Sequence, residues 1–219
     1  MQTPLTRNRI VLAENLTYMR TLPDGAFRLI YIDPPFNTGK TQQRVRLRAV
    51  ASEMGTRIGF GNRRYQVEIL DSPAYRDAYE DYLGFLEPRL REAYRLLTPD
   101  GSLFVHLDYR EAHYVKVLLD TIFGRASFMN EIIWAYDYGG RSKRRWATKH
   151  DTLFWYAKDP QRYVFNYEAI DRIPYMAPSL VGAEKAQRGK TPTDVWWLTI
   201  VSTNSKEKTG YPTQKPLKL

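Results

Sequence analysis

Asp33, Pro34, Pro35 and Phe36 stand together in the stretch YIDPPFNTGK, an acid and an aromatic ring separated by two prolines. Proline fixes φ and lacks an N–H, and the residue before it is pushed into extended conformations. The acid therefore sits on a stiff corner. Asp33 follows the apolar run FRLIYI, and ligands of open α/β sheets bind beyond the carboxyl ends of the strands. An isolated acid of this kind serves equally well as a turn or helix-capping group. Two basic clusters add a second chemistry. Arg44, Arg46 and Arg48 alternate with Val45 and Leu47, so a strand would put the three arginines on one face, and Arg63 and Arg64 extend the patch. Arg141, Lys143, Arg144, Arg145 and Lys149 surround Trp146. Cations interleaved with rings suit phosphates and unstacked bases, although a charge run is also commonly a solvated face.

The bulk composition is compatible with this. Among 219 residues the formal charge is +9, and aromatic residues make up 14%. Such a balance favours a polyanionic partner. The chain has no cysteine and three histidines, which excludes disulfides and thiolate-bound metals, and no metal is expected. His106 and His113 read as a strand end and a helix surface, while His150 is open between a loop hydrogen bond and a nucleic-acid contact. No apolar stretch is long enough to span a membrane, and the N-terminus lacks the apolar core of a secretory signal. A cytoplasmic protein is expected.

The elements that must position these residues follow from periodicity. FRLIYI and SLFVHL read as buried strands, with an amphipathic helix over residues 75–97 between them. Tyr75, Tyr79, Tyr82, Leu83, Leu86, Leu90, Tyr94 and Leu97 form its stripe, and Pro88 is expected to bend or restart it. EAHYVKVLLDTIFG predicts a second helix closed by Gly124. NEIIWAYD and HDTLFWYAK predict two strands with no helix between them, hence an antiparallel pair at one edge of a mostly parallel sheet. From Asp159 onward periodicity weakens, which predicts an irregular lobe.

The segment LIYIDPPFNTG resembles the signature of amino-group DNA methyltransferases, which has the form Asp/Asn/Ser-Pro-Pro-Tyr/Phe/Trp. The flanking blocks NRIVLAENLTYMRTLPDGAFRLIYIDPPFNTGK, YLGFLEPRLREAYRLLTPDGSLFVHLD, RSKRRWATKHDTLFWYAK and TGYPTQKPLKL look like those of the subgroup whose catalytic half precedes the cofactor half. The resemblance implies an α/β, partial Rossmann-like fold dependent on S-adenosylmethionine, with an antiparallel edge hairpin and an irregular target-recognition lobe. Expected divisions are 1–158 as the catalytic half with a basic loop over 40–70, 159–209 as target recognition, and 210–219 as the start of the cofactor side.

By this resemblance Asp33 and the Pro34 carbonyl accept hydrogen bonds from an exocyclic amine, Pro35 stiffens the corner, and Phe36 stacks on a base drawn out of the duplex. An acid near the cofactor adenosine is usually Asp, and this chain has Glu14 there. Asp33, Gln214, Lys215 and Pro216 match other cofactor-side positions. The implied partner is double-stranded DNA, with a restriction subunit or a complementary cofactor-binding half as further partners. The family's Phe-x-Gly-x-Gly-like loop is expected beyond YPTQKP, so the chain reads as truncated or one half of a split enzyme, and GFGNRR reads as a loop tip. N6 of adenine is the expected target. N4 of cytosine, a non-catalytic DNA-binding module, and an RNA or protein glutamine methyltransferase are the alternatives.

Overall fold

The computed structural model describes residues 8–43, 46–58, 62–71, 74–202, 204–211 and 213–219. The chain divides into two compact units, Met1–Phe36 with Glu80–Leu198, and Asn37–Tyr79 with Thr199–Leu219.

In the first unit a short helix, α1 (Asn15–Met19), precedes strand β1 (Phe27–Ile32). Helix α2 (Tyr82–Leu96) starts at Asp81, whose carboxylate accepts from the Gly84 N–H at 2.8 Å. It is continuous through Pro88 and buries Tyr82, Leu86, Leu90, Ala93 and Leu96. The helix expected from residue 75 thus begins seven residues later. Ala74–Asp77 form a strand of the second unit instead, because antiparallel pairing and the bonds made by Asp77 outweigh the tyrosine periodicity there. Strand β7 (Leu97–Leu107) follows α2 directly. Its TPDG segment is an irregularity inside the strand, since Phe27 pairs with Leu97 and Leu29 with Ser102. Helix α3 (Ala112–Phe123) buries Ala112, Val115, Leu119 and Phe123. Gly124, at φ 86°, ends it in the left-handed region that an L side chain rarely adopts.

Strands β8 (Phe128–Ala135), β9 (His150–Ala157) and β10 (Val195–Trp197) complete a sheet ordered β1-β7-β9-β8-β10 among the described residues. β1 runs parallel to β7 and β8 to β10, while β9 is antiparallel to both of its neighbours. Four strands therefore point one way and β9 the other, which accounts for the mostly parallel sheet. The β8–β9 hairpin is antiparallel as expected but not at the edge. Val195–Trp197 pairs outside it, tied by the Ile133 N–H to the Asp194 carbonyl at 2.8 Å and the Trp134 indole N–H to the Leu198 carbonyl at 2.7 Å. Three residues are too few to show a sequence period.

Leu103, Val105, Leu107, Phe154 and Tyr156 meet α2 and α3 in a core of almost fully buried side chains. The opposite face carries Phe104, Trp155 and Trp196, which line a cavity of about 760 Å³. β1, expected to be buried, is a half-exposed edge strand: Leu29 is 62% exposed. Beyond β9 the first unit has 3₁₀ turns at Tyr167–Ala169 and Pro178–Leu180 and a short helix, α4 (Ala183–Arg188).

The second unit holds β2 (Lys40–Gln43) paired with β6 (Ala74–Asp77), and β5 (Arg64–Asp71) between β3 (Arg46–Ala51) and β4 (Arg57–Ile58). All these pairings are antiparallel.

Candidate active site

Asp33 to Phe36 leave the carboxyl end of β1. The corner is held on both sides. Before it, Ile32 pairs with Val105 of the buried β7. After it, the buried Tyr82 hydroxyl donates to the Pro35 carbonyl at 2.6 Å. Asp33 itself is exposed. The stiff peptides and these two anchors fix the backbone that carries the Asp33 carboxylate at the solvent edge.

The Tyr31 hydroxyl lies 2.7 Å from Nδ1 of His106, which has no exposed surface. Nε2 of His106 is 3.1 Å from Oδ2 of Asp151, and the other carboxylate oxygen of Asp151 accepts from the Tyr136 hydroxyl at 3.0 Å. The Phe36 and Trp134 rings approach the imidazole at 5.7 and 5.6 Å between centroids. Burial, reinforced by the charges of Asp33 and Asp151, pushes the Tyr31 phenol well above its ordinary range, and burial does the same for Tyr136 beside Asp151. Both phenols therefore stay protonated, and that of Tyr136 donates to Asp151. Beside Asp151 lies a cavity of about 340 Å³, whose lining includes Asp108, Tyr109, Arg110, Tyr136, Arg145 and Trp146. Burial raises the Asp108 carboxyl, opposed by hydrogen bonds and charge from Arg110, whose guanidinium pairs with it. The corner thus presents an acceptor at the surface, and the cavity mixes carboxylates, guanidinium groups and aromatic rings.

A DNA methylase family model, of the N6/N4 type, matches residues 27–219. The chain belongs to this family of DNA methylases. It is 26% identical over 208 residues to the type II methyltransferase M.HpaI of Haemophilus parainfluenzae, an alignment covering 95% of this chain and 56% of that protein. It is 29% identical over 132 residues to the Mod subunit of the StyLTI type III restriction-modification enzyme of Salmonella typhimurium, covering 59% and 20% of the two chains. Among solved structures, the PvuII DNA methyltransferase (cytosine-N4-specific) overlaps 89% of this chain and 58% of its own at 12% identity, with a TM-score of 0.47. The chain thus spans little more than half the length of M.HpaI.

In this DNA methylase chain the other expected site residues are distributed as follows. Glu14 is the N-cap of α1: its two oxygens accept from the Leu16 N–H, the Thr17 N–H, the Thr17 hydroxyl and Arg89, at 2.6 to 3.2 Å. These bonds, led by that from the Thr17 amide, hold its carboxyl at about 2. An ionised carboxylate has about four acceptor positions, so a ribose contact from Glu14 requires one of these donors to be exchanged. Gln214 closes a turn in the second unit, accepting from Thr209 through Oε1 and donating to the Glu207 carbonyl at 2.7 Å. Pro216 is buried in the same segment, and Lys215 lies between them.

Arg141, Lys143, Arg144, Arg145 and Trp146 are exposed on the β8–β9 loop, and Trp146 is 96% exposed. That loop is closed at its base by the Tyr136 N–H to the Lys149 carbonyl at 2.9 Å, and Lys149 Nζ donates to the Gly139 carbonyl at 3.1 Å. Arg46 and Arg48 lie on β3, where Arg48 stands opposite Glu68, and Arg63 and the first residue of β5, Arg64, are exposed. Arg44 and the glycines of GFGNRR lie outside the described residues.

Three buried polar groups escape sequence reasoning, two in the first unit and one in the second. His106 and Asp151 are readable there only as a strand end and a strand start, although a buried polar side chain must find a partner. Asp77 falls within the helix expected over residues 75–97. Instead it is buried and holds the turn after Phe36 by accepting from the Asn37 N–H at 2.7 Å, the Thr38 hydroxyl at 2.5 Å and Gln42.

Proposed function

We propose that the chain carries the base-accepting corner of a DNA methyltransferase acting on N6 of adenine in double-stranded DNA. The observation that carries this reading is the exposed Asp33 on a proline corner pinned by β1–β7 pairing and by Tyr82. An exocyclic amine is a poor nucleophile because its lone pair is delocalised into the ring. Acceptors at its two hydrogens, the Asp33 carboxylate and the Pro34 carbonyl, draw it toward tetrahedral geometry and stabilise the positive charge that develops on attack. Preorganised groups of this kind supply a large share of catalysis. Phe36 offers a stacking face to the extruded base. S-adenosylmethionine is the cofactor of this reading and supplies the methyl group when bound, with Glu14, Asp33, Gln214, Lys215 and Pro216 as its proposed contacts. The Asp form of the tetrapeptide supports adenine over cytosine. Residues 159–209 are the proposed target-recognition region, and the similarity to a Mod subunit supports a restriction subunit as a further partner.

The test is transfer of labelled methyl from S-adenosylmethionine to unmodified DNA, with the product nucleoside identified. N6-methyl-2′-deoxyadenosine is expected, and N4-methyl-2′-deoxycytidine would make cytosine the target in place of adenine. Asp33→Ala should lower the rate by about 100-fold or more, on the scale of losing one preorganised group. Unchanged activity in that variant would sink the mechanism. Neutralising Arg144 and Arg145 together should weaken DNA binding and reduce the slope of log affinity against log salt by about 2, one per phosphate contact. An unchanged slope removes these residues from the interface.

A further inference from the structure

His106 is a fully buried titratable side chain to which the proposed chemistry assigns no task. It stands on β7, between the edge strand β1 and β9, and both of its ring nitrogens are engaged. Asp151, as a carboxylate, only accepts, so Nε2 carries a proton toward it. In the neutral ring Nδ1 is then the acceptor for the Tyr31 hydroxyl. Asp151 is itself steadied by Tyr136. A side-chain bridge thus crosses three adjacent strands, from β9 through β7 to β1.

The bridge ends on both flanks of Asp33. Tyr31 lies two residues before it and is hydrogen-bonded to the imidazole. Phe36 lies three residues after it, with its ring 5.7 Å from the imidazole and inclined at 45°. Trp134 closes the opposite side, edge to face at 79°. A core position with no other demand would be filled as well by an apolar side chain, without the cost of desolvating two ring nitrogens. β1 is also an exposed edge strand among the described residues, so its end has less covering than that of a central strand.

We propose that His106 is a positioning residue for the Asp33 corner, coupling Tyr31 and Phe36 so that the carboxylate and the stacking ring keep one mutual geometry. This rests on the function proposed above. Displacement of an acceptor by about 1 Å is enough to lower a rate 100-fold, and second-layer hydrogen bonds hold such groups within about 0.5 Å. The substitution His106→Gln keeps a donor and an acceptor in place of the two nitrogens. His106→Phe fills the space and keeps neither.

The experiment has two arms. In the first, ¹⁵N-labelled histidine distinguishes the three imidazoles of the chain. One ring should show a protonated Nε2 and an accepting Nδ1 at neutral pH, with the Nδ1 signal displaced by Tyr31→Phe. The ¹³C carboxyl resonance of Asp33 and the ring resonances of Phe36 should shift in His106→Phe and return toward their original places in His106→Gln. In the second arm, His106→Phe should lower kcat for methyl transfer about tenfold or more with KM for DNA within about twofold, and His106→Gln should restore most of it. A protonated Nδ1, or Asp33 and Phe36 signals indifferent to His106→Phe, would overturn the proposal. So would a rate loss that His106→Gln shares in full. Absence of methyl transfer by the unsubstituted chain counts against the proposed function, while the resonances still decide whether His106 positions the corner.

Discussion

The peptide between Pro35 and Phe36 accepts a hydrogen bond from a buried phenol. Tyr82 is 4% exposed and donates to the Pro35 carbonyl at 2.6 Å. Tyr82→Phe keeps the ring in the core and removes the donor, leaving a carbonyl to be satisfied by other means. A loss of about 1 kcal/mol is expected, the usual net contribution of such a bond, read as a lower urea midpoint at unchanged slope. Methyl transfer should fall by more than the stability change accounts for, since the missing bond is one of the two anchors of the corner. A variant with reduced stability and full activity would show that the β1–β7 pairing alone aims Asp33.

Among the elements, the turn that leads into β2 is gathered by a carboxylate at the end of β6, its pairing partner. Asp77 gathers the Asn37 amide, the Thr38 hydroxyl and Gln42, and its own carbonyl accepts from the Gly39 N–H at 2.9 Å. Asn37, at φ 54°, occupies the left-handed region, and its side chain accepts from the Tyr79 N–H at 2.8 Å. Asp77→Ala removes the acceptor of two half-buried donors, the Asn37 amide and the Thr38 hydroxyl, and one of the acceptors of Gln42. It should cost about 2–3 kcal/mol, the scale of hydrogen bonds to a charged group, and increase hydrogen exchange at Asn37. Exchange at α2 amides should stay unchanged, and loss of protection there as well would mean that the turn is not an independent element. The β8–β9 loop is a different kind of element, carrying cations and Trp146 outward on a closed stem.

For the molecule as a whole, the unequal covering of the two sheet faces sets where substitutions matter. Leu90 has no exposed surface between α2 and the sheet, whereas Leu29 on β1 is 62% exposed. Leu90→Ala should cost about 2–5 kcal/mol through lost burial and a residual cavity. Leu29→Ala should stay within about 0.5 kcal/mol, as surface changes usually do. Denaturant unfolding of both variants checks the pair, and a large loss at Leu29 would mean that this face is covered in solution.

Local pattern is enough to read β1, α3 and the β8–β9 hairpin from the amino-acid sequence, and two adjacent prolines mark the corner after Asp33. Each of these is recorded within a few neighbouring residues, as apolar periodicity, a capping glycine or a fixed φ. The start of α2 is misleading in the sequence because tyrosines at 75 and 79 match a helical spacing that pairing with β2 overrides. The tertiary structure alone decided that β9 lies inside the sheet, that β10 exists, and that Glu14 caps a helix while paired with Arg89. It also decided what surrounds Asp33. Tyr31 meets His106 across 75 positions, Tyr82 meets Pro35 across 47, and His106 meets Asp151 across 45. Contacts at such separations follow from strand order and register, which no local propensity encodes. Residue type announced the corner at Asp33, and long-range packing determined which side chains hold it.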